Sequence, residues 1–91
     1  MTSTTGQVFR PITPSPRSYL HEALAEHFRQ AIRSGELPYD TAFPSERKAA
    51  EMMRVSLGTY RRAVKTLTQE GLVTAVQSKG TFVVYQPPQP R

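Results

Sequence analysis

The chain of 91 residues contains no cysteine. Disulfide staples, thiolate zinc sites and a cysteine nucleophile are therefore excluded. No apolar run approaches the roughly 20 residues that a membrane-spanning helix needs, so no membrane partner is expected. The N-terminus lacks the charged-then-apolar pattern of a signal peptide, which points to the cytoplasm. Catalytic signatures are missing as well: there is no glycine-rich phosphate loop and no H-E-x-x-H. A serine nucleophile needs a positioned base, and nothing suggests one. His21 and His27 do not share a helix face and read as surface residues rather than a metal pair. The expectation is a protein that is not an enzyme and holds neither cofactor nor metal.

Acidic side chains are also scarce, and unevenly so. Twelve Lys and Arg face seven Asp and Glu, a net charge of +5. Residues 1–46 carry four basic and five acidic side chains, whereas residues 47–91 carry eight basic and two acidic. A basic half beside a near-neutral half is the footprint of a polyanion binder. Charge also serves solubility alone, so the order of elements has to decide.

That order is helix, helix, helix, hairpin. Residues 1–16 are rich in Thr, Ser and Pro and read as a flexible arm. Residues 86–91 form a Pro-rich tail, which leaves one small domain over residues 17–85. Within residues 18–34, Leu20, Leu24, Phe28 and Ile32 recur every four positions beside Ala23 and Ala31, one apolar stripe on an amphipathic helix. Gly35 is its stop, with Pro38 beyond. Residues 36–44 hold two prolines and read as a connector. Ser45 is an N-cap for a short helix over residues 46–53, with Ala49, Ala50, Met52 and Met53 on its apolar side. Ser56 caps a third helix over residues 57–70, in which Tyr60, Ala63, Val64 and Leu67 form the buried stripe. Arg61, Arg62 and Lys65 lie off that stripe. Two short helices joined by a tight turn, the second basic on its outer side, describe a helix-turn-helix. Two β-prone runs, 72–76 and 81–85, flank Gln77-Ser78-Lys79-Gly80 and predict a hairpin. The fold class is mainly α with a small β-hairpin: three helices followed by a two-stranded wing. Tyr60 and Phe82 are expected in the core.

The sequence resembles the DNA-binding domain of the GntR (gluconate-repressor) family. The resemblance rests on Leu37-Pro38, Phe43-Pro44-Ser45-Glu46-Arg47, Val55-Ser56, Thr59, Arg61, Ala63, Glu70-Gly71-Leu72-Val73 and Gly80-Thr81-Phe82-Val83, and runs from about residue 19 to residue 83. It implies a winged helix-turn-helix that binds operator DNA, usually as a dimer on a near-palindromic site. The arginine of the Pro-Ser-Glu-Arg motif, here Arg47, then contacts DNA. The family's recognition helix usually reads Ser-Arg-x-Thr-Val-Arg. Here it reads Ser56-Leu57-Gly58-Thr59-Tyr60-Arg61, so the roles of Thr59 and Arg61 carry over. Leu57 replaces an arginine that often reads guanine, a loss of about 1–3 kcal/mol of discrimination; it can instead touch a thymine methyl. Gly58 lets DNA approach closely, at some cost in helix propensity. The wing usually reads Gly-x-Gly-Thr and here is Ser78-Lys79-Gly80-Thr81. Ser78 can donate to a phosphate or a groove edge, and Gln77 and Lys79 belong at the minor groove. Members typically carry a second, effector-binding domain that supplies most of the dimer interface. The chain therefore reads as a free-standing module or a truncated regulator, with a homodimer that is weak or formed on DNA.

The functional expectation is a sequence-specific transcriptional regulator of bacterial type, by default a repressor acting through operator occupancy. The helix from Leu57 enters the major groove, Ser45 and Arg47 fix register on the backbone, and Arg62, Lys65 and Arg54 are phosphate contacts or plain solvated charges. For Arg47 the competing reading is an ion pair with Glu51 at i,i+4. Arg10 and Arg17 are candidates for additional minor-groove contacts. Two alternatives remain open: an architectural accessory in plasmid partition or recombination, and a winged-helix module that docks protein.

Overall fold

The computed structural model describes residues 7–14, 16–17 and 19–86. The first periodic run forms helix α1 (Leu20–Ser34). Its buried face is Leu24, Ala25, Phe28, Ala31 and Ile32. Leu20, at the start of the expected stripe, is exposed because it lies in the first turn, short of the packed helices. Gly35 adopts φ +91°, the left-handed conformation that glycine enters without a Cβ penalty. The reversal brings the Leu37 N–H to Ala31 O at 3.0 Å and drops Leu37 fully into the core.

Helix α2 (Glu46–Met53) starts at Ser45, whose Oγ accepts from Lys48 N at 3.4 Å. Arg54 ends it in a left-handed conformation, φ +59°. Helix α3 (Leu57–Gln69) starts at Ser56, whose Oγ accepts from Thr59 N at 3.1 Å. Its buried residues are Tyr60, Ala63, Val64 and Leu67, the stripe that the spacing predicts. Strands β1 (Val73–Val76) and β2 (Gly80–Val83) pair antiparallel, Val73 opposite Val83 and Val76 opposite Gly80. Ser78 and Gly80 at the turn both have positive φ, +67° and +109°. The hairpin departs from expectation at Phe82. Strand alternation sends Thr81 and Val83 inward and leaves Phe82 half-buried on the other face.

The connector does more than link α1 to α2. Asp40 N donates to Val83 O (2.8 Å), Val83 N to Thr41 O (2.9 Å) and Phe43 N to Thr81 O (2.8 Å), so residues 40–43 add a short second ladder beside β2, bridged antiparallel at Ala42 and Phe82. This ladder delivers Pro44 and Ser45 to the start of α2 from a fixed point on the wing.

The arm also differs from expectation. Val8 and Phe9 are buried, at 2% and 3% exposure. The Phe9 ring lies 5.1 Å from both Phe28 and Phe43, and Phe28 meets Tyr60 edge-on at 6.2 Å. His27, expected at the surface, is half-buried, and its Nε2 donates to Val8 O at 2.7 Å. Two apolar residues outweigh the polar composition around them, because the aromatic cluster offers a site that buries both side chains, and His27 satisfies the Val8 carbonyl. The rest of the expected arm, residues 1–6 and 15, and the tail from residue 87 onward lie outside the described residues.

One cross-link ties the first helix to the end of the third. Arg29 Nε and Nη2 reach the two carboxylate oxygens of Glu70, each at 2.7 Å. Arg29 also pairs with Glu26, which Gln30 bonds at 2.7 Å. The hydrogen bond from Arg29 is the main cause that holds the Glu70 carboxyl below its ordinary range. For Glu26 the Gln30 bond is the larger cause and Arg29 the second. These contacts offset the like-charge spacings Glu22–Glu26 and Arg29–Arg33 along α1, which alone oppose the helix.

Candidate nucleic-acid interface

Three short segments carry the candidate residues, and each is positioned by local chemistry. The Ser45 cap fixes the start of α2 and sets Glu46, Arg47 and Lys48 in its first turn, all exposed. The Ser56 cap fixes the start of α3 and sets Leu57, Gly58 and Thr59 there. The hairpin turn holds Gln77, Ser78, Lys79 and Gly80 in solvent, with Lys79 N bonded to Val76 O at 3.0 Å.

The segments converge on Glu46. Arg61, one turn into α3, donates through Nε to both Glu46 oxygens at 3.3 Å and through Nη2 to Oε1 at 3.1 Å. Glu46 also lines a groove of about 290 Å³ with Ala75, Val76, Gln77, Ser78, Gly80 and Thr81. The start of α2, the first half of α3 and the wing turn therefore share one face. Tyr60 lies beneath it; burial, and secondarily the Glu46 charge, pushes its phenol well above the usual range, so it stays neutral.

The face is basic. Between residues 45 and 80 the chain has seven Lys and Arg and three acids. Glu70 is engaged by Arg29 at the far end of α3 and Glu46 by Arg61. Among the described residues the spacing-allowed pair Arg47–Glu51 does not form. Arg47, Arg54, Arg62, Lys65 and Lys79 are exposed.

Individual residues sort further. Ser56 Oγ donates to Thr59 Oγ1 at 2.9 Å, which leaves the Thr59 hydroxyl proton for an outside acceptor. Gly58 is exposed, and a Cβ built there meets nothing within 4 Å. Leu57 is half-buried and packs against the core, so only part of its side chain faces outward. Arg10 is exposed and donates to Pro11 O at 3.4 Å, and Arg17 is exposed. Glu46 was legible as the glutamate of Pro44-Ser45-Glu46-Arg47, but no sequence signal ties it to Arg61, fifteen positions on.

Residues 20–83 match the family described as bacterial regulatory proteins, gntR family. The chain belongs to that family. It is 38% identical over 64 residues to the HTH-type transcriptional repressor NagR of Bacillus subtilis (strain 168), covering 70% of this chain and 26% of the relative. It is 32% identical over 77 residues to the HTH-type transcriptional regulator GgaR of Escherichia coli (strain K12), covering 85% of this chain and 31% of that one. The gntR-family chain thus spans about a third or less of these two relatives. Among solved structures, the AraR DNA-binding domain in complex with operator ORX1 superposes with a TM-score of 0.73 at 28% identity, covering 82% of this chain and 95% of that one. The three helices and two-stranded wing of this gntR-family domain are thus a winged helix-turn-helix. Among the described residues no helix is long and apolar enough to cross a membrane.

Proposed function

We propose that this gntR-family domain binds double-stranded operator DNA sequence-specifically in the cytoplasm and regulates transcription, repressing by occupancy. The observation that carries the reading is the shared face: two serine-capped helix starts and the wing turn meet around the Arg61–Glu46 pair, within a segment of seven basic side chains. The AraR domain, similar over most of its length, was solved on operator DNA, which supports the same partner here.

The start of α3 enters the major groove, where Thr59 and Arg61 reach bases or adjoining phosphates and the outward part of Leu57 meets a thymine methyl. Gly58 admits the duplex close to the helix backbone. Ser45 and Arg47 at α2, with Ser56, Arg62 and Lys65, fix register on phosphates. Gln77, Ser78, Lys79 and Gly80 cover the flanking minor groove. Two copies occupy a near-palindromic site, assembling weakly or on the DNA itself. Catalysis has no part in this mechanism.

The test is selection from a pool of random duplexes by the purified chain near physiological salt, followed by salt titration on the winner. Enrichment of a two-fold symmetric sequence is the expected result. A steep salt slope without an enriched sequence would favour an architectural DNA-binding role. No binding even at low salt would defeat the DNA reading and point to a protein partner.

A further inference from the structure

We infer that Glu46 is a specificity-determining residue: its carboxylate holds the Arg61 guanidinium by one edge and presents the other edge to a guanine. The inference deepens the DNA-binding reading and rests on it. A guanidinium is planar, with five N–H groups in a fixed fork. Glu46 engages the edge made by Nε and Nη2, at 3.1 to 3.3 Å. Among the described residues no group takes Nη1. The remaining edge, Nη1 with the outer N–H of Nη2, is the fork that matches guanine O6 and N7. Both side chains are about half exposed, 58% for Arg61 and 49% for Glu46, so the fork is open to an incoming duplex.

The placement of the acid is the second observation. Glu46 lies between α3 and the wing groove, where a carboxylate repels phosphates. An acid in the first turn of a helix favours the macrodipole, and Glu46 has that position in α2. That role accounts for an acid at this place but not for three contacts to a side chain on another helix. An unrestrained Arg61 would turn to phosphates, which every duplex offers equally. Held at Glu46, it loses part of that freedom and reads a base edge instead. Glu46 thus trades non-specific affinity for discrimination.

The experiment compares wild type, Glu46→Gln, Glu46→Asp and Arg61→Ala on two duplexes: the sequence that wild type enriches from a random pool, and a shuffled duplex of the same composition. A third series places 7-deazaguanine, which lacks the N7 acceptor, at each guanine of the enriched site. Glu46→Gln should bind the shuffled duplex more tightly and lower the discrimination ratio about tenfold, the size of one bidentate base contact. Wild type should be sensitive to 7-deazaguanine at one position where Glu46→Gln is not. Glu46→Asp keeps the charge at the helix start but is one methylene short of Arg61, and it too should lose discrimination. An unchanged ratio in Glu46→Gln, with Arg61→Ala impaired, overturns the inference while leaving the DNA reading intact. So does an equal change on both duplexes, or wild-type behaviour in Glu46→Asp. An Arg61→Ala variant that keeps full discrimination likewise overturns the inference alone, whereas a wild type that enriches nothing brings down both.

Discussion

Gly58 is the second residue of α3, is exposed, and has room for a Cβ that would meet nothing within 4 Å. The protein's own packing therefore gives no reason for glycine there. Glycine in a helix is less favourable than alanine by about 0.5–1 kcal/mol, chiefly through backbone entropy. Near the helix start the lower figure applies, so Gly58→Ala should stabilise the domain by about 0.5 kcal/mol. For a domain of this size that corresponds to a rise in Tm of roughly 2–4 °C. The DNA reading predicts the opposite sign for binding. If the backbone at Gly58 lies against the duplex, the added methyl has to displace a packed surface, at about 1–3 kcal/mol, which is roughly fivefold or more in Kd. Thermal melting by circular dichroism measures the first effect, and fluorescence anisotropy with the enriched duplex measures the second. A variant that is more stable and binds as tightly as wild type would refute close approach at the start of α3. A variant that is less stable would refute the account of the helix itself.

Three further outcomes follow from the packing and the charges. Phe9→Ala should cost about 3–5 kcal/mol in a urea titration, because the ring is buried among Phe28 and Phe43; a loss below about 1 kcal/mol would show that the arm is not docked in solution. Arg29→Ala should lower stability at neutral pH by about 1 kcal/mol or less, since the Glu70 pair is partly exposed. Arg29 depresses the Glu70 carboxyl, so the pair's contribution is present above the ordinary carboxylate range, near pH 4–5, and is lost as pH falls through the depressed value. The Tm gap between wild type and Arg29→Ala should therefore narrow with acidification, and a gap independent of pH would contradict the clamp. Lys79→Ala should lower the salt slope of binding by about one unit if the wing loses one phosphate contact, with Tm unchanged, and an unaltered slope would remove Lys79 from the interface.

Much of the fold was legible because it rests on local chemistry. Tyr60, Ala63, Val64 and Leu67 are buried as their helical spacing predicts, and Ser45 and Ser56 cap the helices they precede. What escaped depends on partners distant in the chain. Val8 and Phe9 sit in a Thr, Ser and Pro-rich segment, and only the aromatic cluster that receives them explains their burial. The ladder over residues 40–43 is bracketed by Pro38 and Pro44, which masks a strand-like stretch from any reading of period. Phe82 was expected inside, but the hairpin register assigns Thr81 and Val83 to the inner face. The candidate face was legible as a set of residues through its motifs. Its pairing was not: Glu46 with Arg61 and Arg29 with Glu70 are long-range choices among several possible ion pairs, and Arg47–Glu51, the one suggested by spacing, does not form.

The central claim is that α2's start, α3's start and the wing turn form one DNA-binding face. The most direct test is an NMR titration of the isotopically labelled chain with the enriched duplex, following every backbone amide. The account predicts that the largest shift changes fall within residues 45–48, 56–62 and 77–80, while the Arg29–Glu70 end of α1 and α3 stays largely unperturbed. Changes concentrated on α1 or around Arg29 and Glu70, with residues 56–62 silent, would contradict it.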